Sequence, residues 1–266
     1  MSEPQATPAS PARTMPVLFI GHGSPMNTIE RNAWSDAWRI VGAALPRPRA
    51  ILCVSAHWET DGPRLTGSAA PDTIHDFHGF PQALFDVRYP APGDPALARE
   101  IASLLGDAAG IDPDRGLDHG AWSVLVPMFP DASIPVLQLG IDTARDGAWH
   151  LALARRLAPL RDEGVLVLAS GNIVHNLRLH DMRATAAHAW ATRFRDTVLA
   201  CMREGRHDAL ADWPTLPDAS NAVPTPEHYL PLLYALALGR EGEKVTVFND
   251  DVRGAIAMTS LLIDRA

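Results

Sequence analysis

The sequence predicts an α/β protein, a single three-layer αβα domain built on a mostly parallel central sheet. Two observations predict it. Short, continuous apolar runs recur along the chain, and amphipathic stretches of helical length lie between them. Strands that read as uninterrupted hydrophobic runs are buried on both faces, the condition of a parallel sheet covered by helices on each side. No repeat of fixed period points to a solenoid or a propeller.

Taken in order, residues 1–14 carry Pro4, Pro8 and Pro11 among small polar residues. Such a composition buries too little apolar surface to order itself, so a disordered tail is expected ahead of one domain over residues 15–266. Residues 16–20 form the first expected strand, which stops at Gly21, and residues 32–44 the first helix. A second strand over 50–56 stops at His57. Residues 67–92 hold Pro71, Pro81, Pro90 and Pro92 with several aromatics, a long excursion of the kind that usually carries function. A helix over 95–105, a strand over 135–139, a helix over 149–160, a strand over 165–169 and a helix over 189–203 follow. Residues 210–226 are irregular. They lead into a helix over 227–238 with Pro226 in its first turn, where a missing N–H costs nothing. Residues 245–248 are the last expected strand.

Composition narrows the function classes. Of 266 residues, 47% are hydrophobic and 20% charged, enough for a sizeable core. Lys plus Arg is 23 against 31 for Asp plus Glu, and the resulting net charge of −8 disfavours a nucleic-acid groove, which needs clustered positive charge. The only cysteines are Cys53, in an apolar run, and Cys201, in a helical stretch, so neither a disulfide framework nor a cysteine zinc site is expected. No apolar run reaches the roughly 20 residues of a membrane helix, and the N-terminus lacks a signal-peptide layout. A reduced, cytoplasmic protein with no membrane partner is expected.

The histidines carry the chemistry. His22 in Gly-His-Gly-Ser-Pro, His57 in Ser-Ala-His-Trp and His175 in Ser-Gly-Asn-Ile-Val-His-Asn each follow an expected strand. Ligands of open α/β sheets gather at the carboxyl ends of strands, so these three imidazoles converge on one crevice. Neutral imidazole binds zinc and iron, and three protein ligands leave positions open for substrate or water. His228, at the start of the last helix, offers a fourth contact. A lone histidine after a strand is more often an ordinary loop residue; three in one chain shift the balance toward a metal. His150, His180, His188 and His207 sit in polar or helical surroundings and are expected to be solvated. His75 and His78 lie in the excursion. Asp118-His119-Gly120 has two readings: Asp118 caps a helix, or the carboxylate tunes His119 for proton transfer. The Gly21 to Gly23 segment lacks the lysine of a phosphate loop and the third glycine of a dinucleotide fingerprint.

Taken together, Met15-Pro-Val-Leu-Phe-Ile-Gly-His-Gly-Ser-Pro-Met-Asn, Ser55-Ala-His-Trp, Ile74-His-Asp-Phe, Asp118-His-Gly, Gly171-Asn-Ile-Val-His-Asn-Leu and Pro226-Glu-His-Tyr-Leu-Pro-Leu-Leu-Tyr resemble the class III extradiol ring-cleavage dioxygenases, in their DOPA-cleaving branch. The resemblance runs from about Met15 to the C-terminus and keeps the motif order. It implies one divalent metal per chain at His22, His57, His175 and His228, zinc as isolated and Fe²⁺ for turnover, and a substrate-facing histidine at His119. The broader superfamily uses two histidines and a carboxylate, which sets Glu227 against His228; the all-histidine character of this branch favours His228. His175 is then either a ligand of the resting enzyme or a base once a catechol is bound. The substrates implied are a small-molecule catechol and O₂, the product a muconate semialdehyde.

The chemistry suits the site. Two adjacent hydroxyls chelate a metal that acidifies them, and a nearby histidine accepts the proton. Zinc has no accessible redox step, so a zinc-filled protein is expected to bind catechols without cleaving them. Trp58 and Phe77 or Phe80 are candidates for the apolar wall of the ring pocket. The rival readings are a zinc-dependent hydrolase using metal-bound water and a tetrapyrrole metal chelatase, which shares a Gly-His-Gly-Ser segment but not Ser-Ala-His-Trp or Pro-Glu-His-Tyr.

Overall fold

The computed structural model describes residues 14–181 and 186–265. The expected N-terminal tail lies outside the described residues except for Thr14. The described residues form ten strands: β1 (Val17–Gly21), β2 (Ala50–Glu59), β3 (Arg64–Thr66), β4 (Gly110–Asp112), β5 (Val136–Ile141), β6 (Val165–Gly171), β7 (Lys244–Phe248), β8 (Val252–Arg253), β9 (Ile256–Ala257) and β10 (Ser260–Asp264). Eight form one sheet in the order β4-β3-β5-β2-β6-β1-β10-β7, and β8 and β9 form a separate small ribbon. The centre β5-β2-β6-β1 is parallel throughout. The antiparallel pairs lie outside it, at β3 with β5 on one side and at β1-β10-β7 on the other.

Alternation along the central strands creates the three layers. Val17 and Phe19, Leu52 and Val54, and Val165 and Val167 point to one core, which the helices Pro95–Leu105, Gly147–Arg155, Ala189–Arg203 and Leu230–Ala237 cover. Their neighbours Leu18 and Ile20, Ile51 and Cys53, and Leu166 and Leu168 point to a second core under Ala33–Ala44 and His119–Met128. Both faces of each central strand are thereby dry, which is why these strands read as unbroken apolar runs.

The helix starts follow local chemistry. Asn32 caps Ala33–Ala44 in a capping box with Ser35, and Asp94 and Asp146 cap the helices that follow them. The helix expected over 149–160 is instead Gly147–Arg155 followed by a separate turn of helix, Pro159–Asp162. Pro159 cannot donate the hydrogen bond that a continuous helix needs there. The helix expected from residue 227 begins at Leu230, after a turn in which the Pro226 carbonyl accepts from Tyr229 N and Leu230 N. His228 therefore sits in that turn and not on the helix.

Three sheet strands were not expected. β3 and β4 are three residues long and carry no periodic signal, and β10 is a short run near the end of the chain. The expected strand at 245–248 is an exposed antiparallel edge, β7, and not part of the parallel centre. Beneath that edge Arg161, fully buried, pairs with Glu243 at 2.6 and 2.9 Å and donates to the carbonyls of Met15 and Leu238. No helix among the described residues is long and apolar enough to cross a membrane.

Candidate metal centre

The carboxyl ends of β1, β2 and β6 bring three histidines together, and a helix start and a turn add two more. His22 follows β1 directly. His57 lies inside β2, which runs past the expected end at residue 56 to Glu59, with an irregular register against β5 between Val54 and Glu59. His175 follows β6 after Asn172, Ile173 and Val174, held by its N–H on the Ala222 carbonyl. His119 opens the helix His119–Met128, and His228 lies in the turn before Leu230–Ala237. All five line one pocket of about 430 Å³, with Asp76, Phe77, His78 and Phe80 from the 67–92 excursion on its wall.

Two glycines make this convergence possible. A Cβ on Gly120 would lie 2.3 Å from Ser55 Oγ and 2.8 Å from His57 Cδ2, and one on Gly171 would lie 2.2 Å from the His228 carbonyl oxygen. The close approach at Gly171 is thus to another backbone segment.

Hydrogen bonding sets the tautomers. Ser170 Oγ donates to the Gly120 carbonyl at 2.6 Å, so it accepts from His22 Nδ1 at 3.0 Å. The Nε2 lone pair of His22 consequently faces the pocket, 3.1 Å from His57 Nε2. Glu227 Oε1 accepts from His228 Nδ1 at 3.0 Å and from Thr225 Oγ1 at 2.8 Å. That leaves His228 Nε2 buried with no hydrogen-bond partner. Orientation of an imidazole by a hydroxyl or carboxylate on its far nitrogen is the usual support for a metal ligand. An unpaired buried acceptor costs free energy unless something binds it. On this chemistry the residues fit a divalent metal.

Electrostatics agree. Burial, reinforced by the neighbouring imidazoles, holds His22 and His228 well below the usual histidine range. Burial also lowers His57 to about 3 and His175 to about 4. All four are neutral at pH 7, the form that binds metal.

The donor atoms fall into two sets, each with members within 4.8 Å of one another: His22, His57 and His119, and His175, Glu227 and His228. The expected quartet is therefore split. Ring contacts join the halves, with His228 centred 5.3 Å from His22 and 4.9 Å from His57, and His175 stacked on His228 at 3.5 Å. His119 is tilted against His57 at 3.8 Å. Asp76 Oδ1 accepts the His119 backbone N–H at 2.9 Å and lies equally close to Nδ1, though out of line for a ring hydrogen bond. Burial opposes ionisation of Asp76, but its contacts with His119 outweigh this and hold the carboxyl at about 2.

Behind these side chains Asp118 is fully buried and caps its helix through Ala121 N, as one of its two readings foresaw. It also accepts from Ser55 Oγ at 2.7 Å and from Gln138 Nε2 at 2.7 Å. Ser55 in turn accepts the His57 N–H.

Several sequence expectations need correction. His150 is not solvated: it is fully buried, bonded to the Tyr234 hydroxyl and the Asp142 carbonyl, because its helix packs on Leu230–Ala237. His180 is half-buried and lines the pocket, brought there by its contact with Ala255 N. Trp58 is buried away from the pocket beneath Arg115, so Phe77 and Phe80 supply the aromatic wall. His75 turns to Trp122 and the Val87 carbonyl, and His78 lines the pocket instead. Asp76 and Ser170 were assigned no role from sequence. Asp76 sits within the Ile74-His-Asp-Phe motif, which was the available signal; a serine one residue before Gly171 carries none.

A largely parallel sheet with histidines gathered at its carboxyl edge defines an αβα protein whose donor sets could hold a metal ion. Residues 19–256 match the family model described as the catalytic LigB subunit of aromatic ring-opening dioxygenase. The chain is 46% identical over 256 residues to a protein named 4,5-DOPA dioxygenase extradiol from Escherichia coli (strain K12), covering 94% of each. It is 38% identical to one of the same name from Beta vulgaris, covering 90% of this chain and 92% of that one. A crystal structure of an uncharacterized Escherichia coli K12 protein superposes with a TM-score of 0.83 at 41% identity, over 94% of this chain and 99% of the other. The chain belongs to the LigB family, and its activity is extradiol ring-cleaving dioxygenation, as the sequence resemblance implied. The hydrolase and chelatase readings lose their support with that membership.

Proposed function

We propose that the chain cleaves DOPA or a related catechol outside its two hydroxyls, adding both atoms of O₂ to give a muconate semialdehyde. In this reading one divalent metal per chain is held by His22, His57 and His228 with His175 within reach. The observation that carries it is the unpartnered, buried Nε2 of His228 in the pocket where His22 and His57 turn their Nε2 atoms toward each other. A hydrogen bond to Glu227 fixes the tautomer of His228, which favours His228 as the ligand and Glu227 as its orienting partner. Iron there supplies chelation of the two hydroxyls and the redox step toward O₂, which zinc lacks.

The protein groups handle protons and position. His119, fixed through its backbone by Asp76, presents its ring edge-on to Phe77 within the pocket and serves as the acid or hydrogen-bond donor toward substrate. His175, neutral at pH 7, accepts the proton that a catechol hydroxyl releases. Phe77 and Phe80 pack against each other and form an apolar wall of the pocket. Reconstitution without oxygen with either Fe²⁺ or Zn²⁺, followed by exposure to air and DOPA, tests this reading. Ring opening is expected with iron alone; equal turnover with both metals refutes it.

A further inference from the structure

We propose that Arg178 recognises a carboxylate on the side chain of the catechol, so that the enzyme selects catechols bearing an amino-acid or acid head group. This rests on the catechol reading above and extends it to the far end of the substrate. Beside the histidine pocket lies a second cleft of about 210 Å³, lined by His175, Leu177, Arg178, Thr225 and Glu227 among others. His175 and Leu177 line both spaces, so the two adjoin across those side chains. A catechol ring with its hydroxyls toward the histidines needs only the first space. A substituent leaving the ring past His175 enters the second.

Charge tells what that substituent is. Arg178 is exposed, and its guanidinium makes no ion pair with any described residue. Arg193, Arg195 and Arg240 behave otherwise, pairing with Asp218, Asp250 and Asp162. Its backbone is nevertheless fixed. Asn176 Oδ1 accepts from Arg178 N and Leu179 N, and Asn176 Nδ2 donates to the Asn221 carbonyl at 2.8 Å. An unpaired guanidinium presented on a fastened turn beside the pocket is a fork for a carboxylate. Glu227 lines the same cleft and places a carboxylate near it. A cation and an anion in one small cleft complement a zwitterion, the α-amino-acid head group, with its carboxylate toward Arg178 and its ammonium toward Glu227. In a chain of net charge −8, a local cation is also what admits an anionic substrate.

Calorimetric titration of the zinc-loaded protein, which binds without turnover, tests the proposal with three ligands. DOPA carries both head-group charges, 3-(3,4-dihydroxyphenyl)propionate only the carboxylate, and dopamine only the ammonium. The native protein is expected to bind the two carboxylates roughly 10- to 100-fold tighter than dopamine, the worth of a hydrogen bond to a charged group. Arg178→Gln should erase that advantage while leaving dopamine affinity within about twofold, and Arg178→Lys should restore part of it. In the iron-loaded enzyme the same substitution should raise KM for DOPA with kcat nearly unchanged. Discrimination that survives Arg178→Gln, or an equal loss for all three ligands, overturns the proposal. Equal native affinity for all three sinks it while the catechol reading stands; no binding of any catechol removes both.

Discussion

Replacing Asp118 tests whether the buried network behind the histidines holds the site together. Gln138 Oε1 accepts the Asp118 N–H, so its amide cannot flip, and its Nε2–H₂ must face Asp118 Oδ2. Oδ1 meanwhile accepts from Ala121 N and Ser55 Oγ. An asparagine has one acceptor oxygen for these two places, so whichever way it turns, its NH₂ meets a fixed donor. Asp118→Asn should therefore cost about 1–3 kcal/mol, the penalty of a buried donor left unpaired. Asp118→Ala loses the cap, worth about 1 kcal/mol, and orphans the Gln138 and Ser55 donors. Burial raises the Asp118 pKa, so deleting the carboxylate also removes a desolvation cost. The net expectation is about 2–4 kcal/mol, a fall in Tm on the order of 10 °C. Urea and thermal unfolding of the metal-free variants measure this. A loss below about 0.5 kcal/mol in both would refute the reasoning.

His119→Ala should keep its fold and metal but lose turnover by about 10²- to 10⁴-fold, read from steady-state rates beside metal analysis; an unchanged rate returns His119 to the scaffold. Arg161→Met strands Glu243 without its partner and should destabilise by about 3–5 kcal/mol in chemical unfolding. Removing His150 should flatten the acid limb of the stability curve. Burial lowers its folded pKa to about 4 against 6.5 for a free imidazole. The unfolded chain thus binds a proton that the native one refuses, and this contribution is complete above about pH 6.5 and is lost as pH falls toward 4. In His150→Gln the slope between those values should drop by up to about 1.4 kcal/mol per pH unit, one proton's worth, in urea titrations run across pH.

What the sequence made legible follows from how local each signal is. Continuous apolar runs located the central strands because burial on both faces leaves no room for polar residues at Leu18 to Ile20 or Leu166 to Leu168. Expected strand ends located His22 and His57: the first follows β1 directly, and the second lies near the carboxyl end of β2, which runs on to Glu59. His228 and His119 came forward through motifs, as neither follows a strand. The roles of Asp76 and Ser170 were invisible because each depends on a contact with a segment brought near only by folding, as at Ser170 Oγ, which serves both His22 and Gly120; Glu227 bonds its own sequence neighbours Thr225 and His228, and sequence alone does not say which of the adjacent pair faces the pocket. His150 was misread for the same reason. Its helix carries few polar residues around it, but burial is decided by Tyr234, 84 positions away. Strands of three residues, such as β3 and β4, are specified by their neighbours and leave no pattern of their own.

Metal content is the most direct measurement of the central claim, that the converging imidazoles form one metal centre. Elemental analysis of the purified chain, loaded with Fe²⁺ or Zn²⁺ and freed of excess ion, should give close to one metal per chain. His22→Ala, His57→Ala and His228→Ala, each verified as folded, should lose most of it, and His175→Ala should lose part. Native metal content in both His22→Ala and His57→Ala would contradict the account.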